Sequence, residues 1–394
     1  MFHRECHSVS VLFVMTANFT SEKIVLLEAA VSQLRSTLPA SWKVEVGNWT
    51  VPGQDPSQTP TQIDPLLEIQ GPQGQGAASL MVEPKRVLTP RDAERLFSGT
   101  ARRYRQLNPN TPVLVVAPWL STRTRDVLAA EDINYLDLTG NVRISLEYPP
   151  LFIISTGASR DPAPMDRGKA RVRGPKAGRL VRFLIDVAPP YNVTQVATAT
   201  QLAPGYVSRL LEALDCEALV ERGRRGQVNS VDVPGLIRRW IEGYDVLKTN
   251  VASTYVAPNG PKSILEQFAQ SSITSAVAVT GSFAAVRLAP VAGPALLIAY
   301  CADVDAVATQ LGLLPTDRGT NVVLLRPFDP VVWERTTTDD EVTYVAASQI
   351  AVDCLTGNGR MPSEGEALLS WMGEDESRWR VSSLEDLDRT QRDQ

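Results

Sequence analysis

From Thr20 onward the chain alternates between two kinds of apolar pattern. In one, hydrophobic residues recur three or four apart: Ile24, Leu27, Ala30, Val31 and Leu34 share one face, so a helix is predicted over 21–37. In the other they alternate or form compact runs such as VLVVA, which read as strands. These rules predict strands at 42–49, 64–70, 77–84 and 112–117, helices at 90–106 and 121–131, and short strands near 133–137, 142–146 and 151–155. The stretch GPQGQGAA is a Gly-rich turn. Helices interleaved with strands in this way make an α/β domain with a mixed sheet, assigned to 15–156.

The periodicity then stops. Residues 157–177 are dense in Pro, Gly and basic side chains and read as a linker. A compact, mostly helical domain is predicted over 178–250, and an α+β domain over 255–372. That last domain has strands at 276–280, 295–300, 321–325 and 343–346 and helices at 302–311, 348–356 and 363–372. Residues 373–394 are polar and acidic and are expected to be a frayed tail.

In the central domain Leu180, Phe183, Leu184 and Val187 form a helical face that Pro189-Pro190 ends. Thr194 is placed to cap a second helix. Thr200 to Ala203 make a turn, and Pro204 suits the first position of a third helix. There Val207, Leu210, Leu211 and Leu214 face inward, leaving Gly205, Tyr206, Ser208 and Arg209 outside. Leu219-Val220 starts a strand, Arg222 to Gln227 turns it, and Val228 to Val233 returns. This order resembles the winged helix-turn-helix of bacterial regulators, with Ala218 standing where glycine is commoner. The resemblance implies double-stranded DNA as partner. Thr194, Gly205, Tyr206, Ser208 and Arg209 would lie on the reading surface, and Arg222, Arg224 and Arg225 at the wing tip against phosphates.

Composition adds a contrast that the average conceals. Net charge is −5 and hydrophobic content 43%, values of a soluble globular chain. Yet 160–182 carries eight Lys or Arg against two Asp, and 364–393 carries nine Asp or Glu against four Arg. Four scattered cysteines without a C-x-x-C pair favour a reducing, cytoplasmic setting over a disulfide scaffold. No apolar run approaches a membrane span. Residues 1–14 read as an extension or an early start. His3, Cys6 and His7 have ligand-like spacing there but are taken as terminal residues rather than a metal site.

The element order of 21–117 resembles the restriction-endonuclease-like, or PD-(D/E)xK, fold. Asp64 opens IDPLLEI, and Glu83 and Lys85 stand in LMVEPKR. That resemblance implies Asp64 and Glu83 as Mg²⁺ ligands and Lys85 as the group orienting the attacking water, with Glu28 as an outer carboxylate. Pro84 interrupts the strand's N–H pattern between Glu83 and Lys85. Asp137, in LDLTGN, either caps its own turn or helps form an anion site.

Farther on, Thr280-Gly281-Ser282, Arg326-Pro327-Phe328-Asp329, Ser348-Gln349 and Asp353-Cys354-Leu355 occur in that order. With the winged helix and the LDLTGN element, they resemble the AbiEi family of type IV toxin–antitoxin antitoxins. The resemblance implies an autoregulatory DNA-binding protein with a nucleotidyltransferase-like toxin as partner. The C-terminal domain is itself expected to be nucleotidyltransferase-like. In that reading Gly281-Ser282 approach a triphosphate and Asp303 and Asp305 hold Mg²⁺, unless Asp303 only caps a helix. The sequence thus predicts a cytoplasmic, homodimeric transcriptional regulator that requires no cofactor. The alternative is a Mg²⁺-dependent nuclease aimed at DNA by its winged helix.

Overall fold

The computed structural model describes residues 21–47, 66–72, 76–98, 111–163, 172–223, 225–270 and 275–387. The chain is a mixed α and β protein in two compact units, 1–167 and 168–394. Among the described residues no helix is long and apolar enough to cross a membrane.

In the first unit seven strands lie side by side in chain order. They are β1 (Lys43–Gly47), β2 (Leu66–Gln70), β3 (Ala77–Pro84), β4 (Val113–Ala117), β5 (Asn134–Asp137), β6 (Val142–Leu146) and β7 (Leu151–Ser155). The centre, β3-β4-β5, is parallel and both flanks are antiparallel. Two crossovers advancing the same way, both right-handed by the usual rule, place their helices α2 (Pro90–Ser98) and α3 (Thr122–Ala130) on one face. Helix α1 (Ser21–Thr37) covers the other. Strand alternation sorts the core accordingly: Leu80, Val82, Leu114 and Val116 pack with Leu27, Val31 and Leu34 of α1. Met81, Val113 and Val115 pack with Ala93 and Leu128 of α2 and α3. VLVVA is buried at every position because it is a central strand covered on both sides.

The second unit begins with helices α4 (Pro175–Asp186), α5 (Val193–Thr200) and α6 (Pro204–Cys216) and the hairpin β8 (Val220–Arg222)–β9 (Val228–Val231). Helices α7 (Val233–Ile241) and α8 (Val246–Thr249) follow, and then a second seven-stranded sheet of order β13-β10-β14-β12-β11-β16-β15. Its strands are β10 (Val251–Val256), β11 (Val277–Thr280), β12 (Leu297–Cys301), β13 (Leu314–Pro315), β14 (Val322–Arg326), β15 (Thr337–Asp339) and β16 (Val342–Tyr344). Helices α9 (Pro261–Gln270), α10 (Ser282–Leu288), α11 (Val304–Gln310), α12 (Ala347–Leu355) and α13 (Met361–Glu374) complete it.

One hydrophobic core runs from Val172 to Leu387, so the two regions that the sequence separates at 250 share a single interior. A buried ionic cluster joins them. Arg182 of α4 is fully buried and donates to Asp186 (3.2 Å), to the Val331 and Glu334 carbonyls (both 2.6 Å) and to Gln349 Oε1 (3.3 Å). Arg335 donates to the same Asp186 carboxylate at 2.6 Å. Gln349 passes the polarity on, its Nε2 donating to Asp353 at 2.8 Å. The hydroxyls of Tyr244 (2.7 Å), Tyr300 (3.0 Å) and Thr280 (2.6 Å) donate to that carboxylate as well.

Burial alone would raise Asp186, but Arg335 and Arg182 hold its carboxyl below the ordinary range. Burial pushes the Asp353 carboxyl up, against the pull of Thr280, Tyr244, Gln349 and Tyr300.

Two sequence boundaries move. The linker assigned to 157–177 is ordered at both ends. Gly157 N–H bonds Asn141 at 2.9 Å and the Ala158 carbonyl accepts from Trp119 at 3.1 Å, while Val172 is buried in the second core. The tail expected to fray from 373 is docked through Leu387. Val381 exchanges backbone hydrogen bonds with Asp186 and Ala188, and Trp379 Nε1 donates to the Met372 carbonyl. Burial of Leu387, with Trp379 and Val381 packed on the core, outweighs the segment's polarity.

Helix α6 ends in a Schellman arrangement, with Leu219 N–H on Leu214 O and Ala218 N–H on Asp215 O. Ala218 occupies the left-handed position, φ 53°, where L residues are strained by about 1–2 kcal/mol. Ala218→Gly should therefore raise the unfolding free energy of the 168–394 unit, by up to about 1 kcal/mol after the extra unfolded-state entropy of glycine. A denaturant midpoint below that of the parent chain would refute this.

Asp186 generates a pH prediction. Its carboxyl is depressed in the folded state, so its contribution is complete above about pH 4 and disappears as pH falls through the native value. Asp186→Asn should be less stable at neutral pH and should flatten the acid limb of urea midpoint against pH. A variant curve parallel to the parent curve would refute the assignment.

Candidate functional site

Helix α5 starts two residues earlier than Thr194 requires for a cap. Asn192 is the N-cap, with Gln195 N–H on its side chain (2.9 Å) and its own N–H on Gln195 Oε1 (2.8 Å). That reciprocal pair is a capping box. Thr194 sits in the first turn, exposed. Gln201 then adopts a left-handed conformation, φ 54°, and Pro204 opens α6 at its first position.

On α6, Val207, Leu210, Leu211 and Leu214 are buried, as their spacing predicts. Gly205 and Arg209 face solvent. The Arg209 guanidinium lies back along the helix, 3.7 Å from where a Cβ on residue 205 would sit, an ordinary contact distance. Tyr206 and Ser208 are only half exposed. The Tyr206 ring leans on the core, and burial raises its phenol.

The hairpin closes through Gly223 N–H on Gln227 O and Gly226 N–H on Gly223 O, with Gly226 at φ 80°. Val228 also exchanges two backbone bonds with Tyr191, between α4 and α5, which fixes the hairpin to the helical group. Arg222, expected among the phosphate-facing arginines, is half-buried and donates Nε to the Gly226 carbonyl at 3.3 Å. Its guanidinium therefore helps close the turn. Arg225 is exposed at the tip, and Arg224 lies outside the described residues. The described residues make no ion pair to Arg209 or Arg225. Carboxylates also occupy this surface: Glu212 on α6 is exposed, and Glu221 accepts from Ser230 at 3.0 Å.

In the first unit, Glu83 and Lys85 lie together at the end of β3, with Lys85 Nζ 2.6 Å from Glu83 Oε1. Pro84 does not break the strand. Met81 and Lys85 supply the N–H groups bonded toward β4, so the proline nitrogen faces the other way, beyond the last β2 pair at Leu66↔Met81. Asp64 lies outside the described residues. Glu28 is exposed on α1, which packs on the opposite face of the sheet from Glu83, so it is not an outer carboxylate for that pair. Among the described residues no group of three or more His, Cys, Asp or Glu is arranged to hold a metal ion.

Asp137 is fully buried and accepts from Leu120 N, Thr139 N and Oγ1, and Asn141 N and Nδ2. With that many internal donors the carboxylate is committed to its own turn. Asp303 caps α11 by accepting from Ala306 N–H at 3.0 Å. Strands β11 and β12 are antiparallel with Thr280↔Ile298 and Val277↔Cys301. Gly281-Ser282 and Asp303/Asp305 therefore project from opposite ends of that pair, roughly 15 Å apart or more, and cannot share one metal-triphosphate site.

Arg179 and Asp329 were not singled out as a pair by the sequence, yet they meet at 2.8 Å across 150 residues. Nothing local announces such a contact. Comparison with protein-family models, with curated proteins and with solved structures found no match to this chain.

Proposed function

We propose that this protein is a sequence-specific DNA-binding regulator whose reading surface is a winged helix-turn-helix formed by α4, α5, α6 and the β8–β9 hairpin. The observation that carries the reading is the pairing of an outward Arg209 near the N-terminus of α6 with an outward Arg225 at the hairpin tip. Both stand on a helical group tied together by the Tyr191–Val228 bridge. A recognition helix presents its N-terminal residues to base edges in just this way, and a wing lays its tip along the backbone. Arg209 can bond guanine, while Arg225 and the basic linker of 157–177 neutralise phosphates. Thr194 and Gly205, exposed, and Tyr206 and Ser208, half-exposed, complete the proposed reading surface.

One such module covers a small site, so the proposal includes a homodimer reading paired half-sites. The resemblance to the AbiEi antitoxins supports autoregulation, with a nucleotidyltransferase-like toxin as the further partner. The reading requires no cofactor.

A second reading is kept by one observation, the Glu83–Lys85 pair at the end of a parallel strand in a restriction-endonuclease-like order of elements. Here Glu83 with Asp64 would hold Mg²⁺, which would polarise the scissile phosphate, and Lys85 would orient the attacking water.

Each reading has its experiment. The full chain should bind duplex DNA with an affinity that falls linearly in log salt. Arg225→Ala should weaken every duplex similarly and reduce the salt slope by about 1, whereas Arg209→Ala should cost about 1–3 kcal/mol on the preferred sequence only. Absence of duplex binding in low salt would overturn the regulator. For the nuclease, Mg²⁺ or Mn²⁺ should support nicking of duplex DNA that Glu83→Ala and Lys85→Ala both abolish. Nicking that survives either change would remove the assignment.

A further inference from the structure

We infer that the turn Arg326-Pro327-Phe328-Asp329 is a latch by which the second sheet holds the helix-turn-helix pair in its DNA-reading arrangement, with Arg179 and Asp329 as positioning residues. This rests on the DNA-binding reading above. Asp329 follows β14 and is 4% exposed. Its Oδ1 accepts from Val331 N–H at 2.9 Å, which fixes the carboxylate relative to the sheet. Arg179 of α4 reaches it with two of its three guanidinium nitrogens, Nη2 to Oδ2 at 2.8 Å and Nε to Oδ1 at 3.3 Å. A bidentate pair of this kind sets direction as well as distance.

The remaining arm of Arg179 points at the reading helices. Nη1 donates to the carbonyl of Thr200 at 3.4 Å, and Thr200 is the last residue of α5. The left-handed Gln201 follows, and α6 begins at Pro204. A continuous path thus leads from β14 through Asp329 and Arg179 to the turn that aims α6.

Phe328 seats the latch from the other side. Its ring lies against Gly178, where an added Cβ would come within 3.4 Å of Cζ, and its centroid is 5.5 Å from that of Tyr244. Its N–H donates to Asn250 Oδ1 at 3.0 Å. Asp329, Phe328 and Arg179 are none of the residues proposed to touch DNA.

The sign of the effect separates a latch from a bystander. Removing the Asp329 charge makes the protein more positive, and electrostatics alone would tighten binding to any duplex. Loss of a latch weakens binding to the preferred sequence, where α6 must be aimed, and leaves the non-specific component intact. The probes are a duplex selected by the full chain from a randomised pool and a scrambled duplex of the same length.

Asp329→Asn and Arg179→Gln should bind the selected duplex about 3- to 30-fold more weakly, the range expected for substitutions that touch neither ligand. Asp329→Asn should bind the scrambled duplex as well as the parent chain or better, and Arg179→Gln about as well as the parent chain, both with an unchanged salt slope. Arg179→Lys, which keeps the charge but not the fork, should fall between, and it carries the test if the asparagine variant melts below the assay temperature. A parent chain that binds no duplex overturns the DNA reading and the latch together. A parent chain that discriminates, with Asp329→Asn or Arg179→Lys keeping the same ratio, overturns the latch alone.

Discussion

A guanidinium without access to water must find its partners inside the protein, and that of Arg182 finds them on both sides of the second unit. From α4 it bonds Asp186 on its own helix, then the carbonyls of Val331 and Glu334 and the side chain of Gln349. Separating these elements would strand a buried charge, a loss of about 3–5 kcal/mol when one partner of such a pair is removed. Arg335, held above the ordinary arginine range by Asp186 and Glu334 despite burial, closes the cluster from the sheet side. The three-helix group is therefore no bead on a string. It is one end of a single body whose other end is a seven-stranded sheet.

For the proposed DNA reading that construction has a functional meaning. A DNA-reading helix works only if its orientation is fixed, because base contacts lose their value with small displacements. Here the fixing elements belong to the interior beneath the proposed reading surface: a buried ionic cluster, a shared core and the Arg179–Asp329 pair. The surface itself is left to residues with few internal obligations. Arg209 and Arg225 are outward, whereas Arg222, one turn of chain away, is occupied in closing the hairpin. Proximity in sequence did not make these arginines equivalent. Their hydrogen-bond obligations did.

The first unit shows the same distinction among carboxylates. Asp137 is surrounded by donors from its own loop and from Leu120 and is consumed by them. Glu83 has one lysine beside it at the open end of a parallel strand. Two acidic residues that look alike in sequence thus differ in what remains available for a ligand. The nuclease reading rests on the second kind and not the first.

Much of the architecture was legible beforehand. The α1 spacing from Ile24 to Leu34, the VLVVA strand, and the Val207–Leu214 stripe with Pro204 ahead of it each carry their periodicity locally, and local pattern is what sequence shows. Strand β10 was missed because VASTYV mixes small and polar residues and buries only Tyr255, offering little apolar contrast. The docked tail was missed because a few buried contacts at Trp379, Val381 and Leu387 override a polar composition.

The cap on α5 went to Asn192 through a reciprocal bond with Gln195 that Thr194 cannot make. The separation of Gly281-Ser282 from Asp303 and Asp305 follows from antiparallel pairing, which no spacing rule contains. By itself, then, the sequence determined the strongly periodic helices and strands and the faces they bury, because those depend on neighbours within a few residues. Only the tertiary structure decided which charges meet, as Arg179 and Asp329 do across 150 positions. Burial and pairing energies belong to surroundings that distant parts of the chain supply.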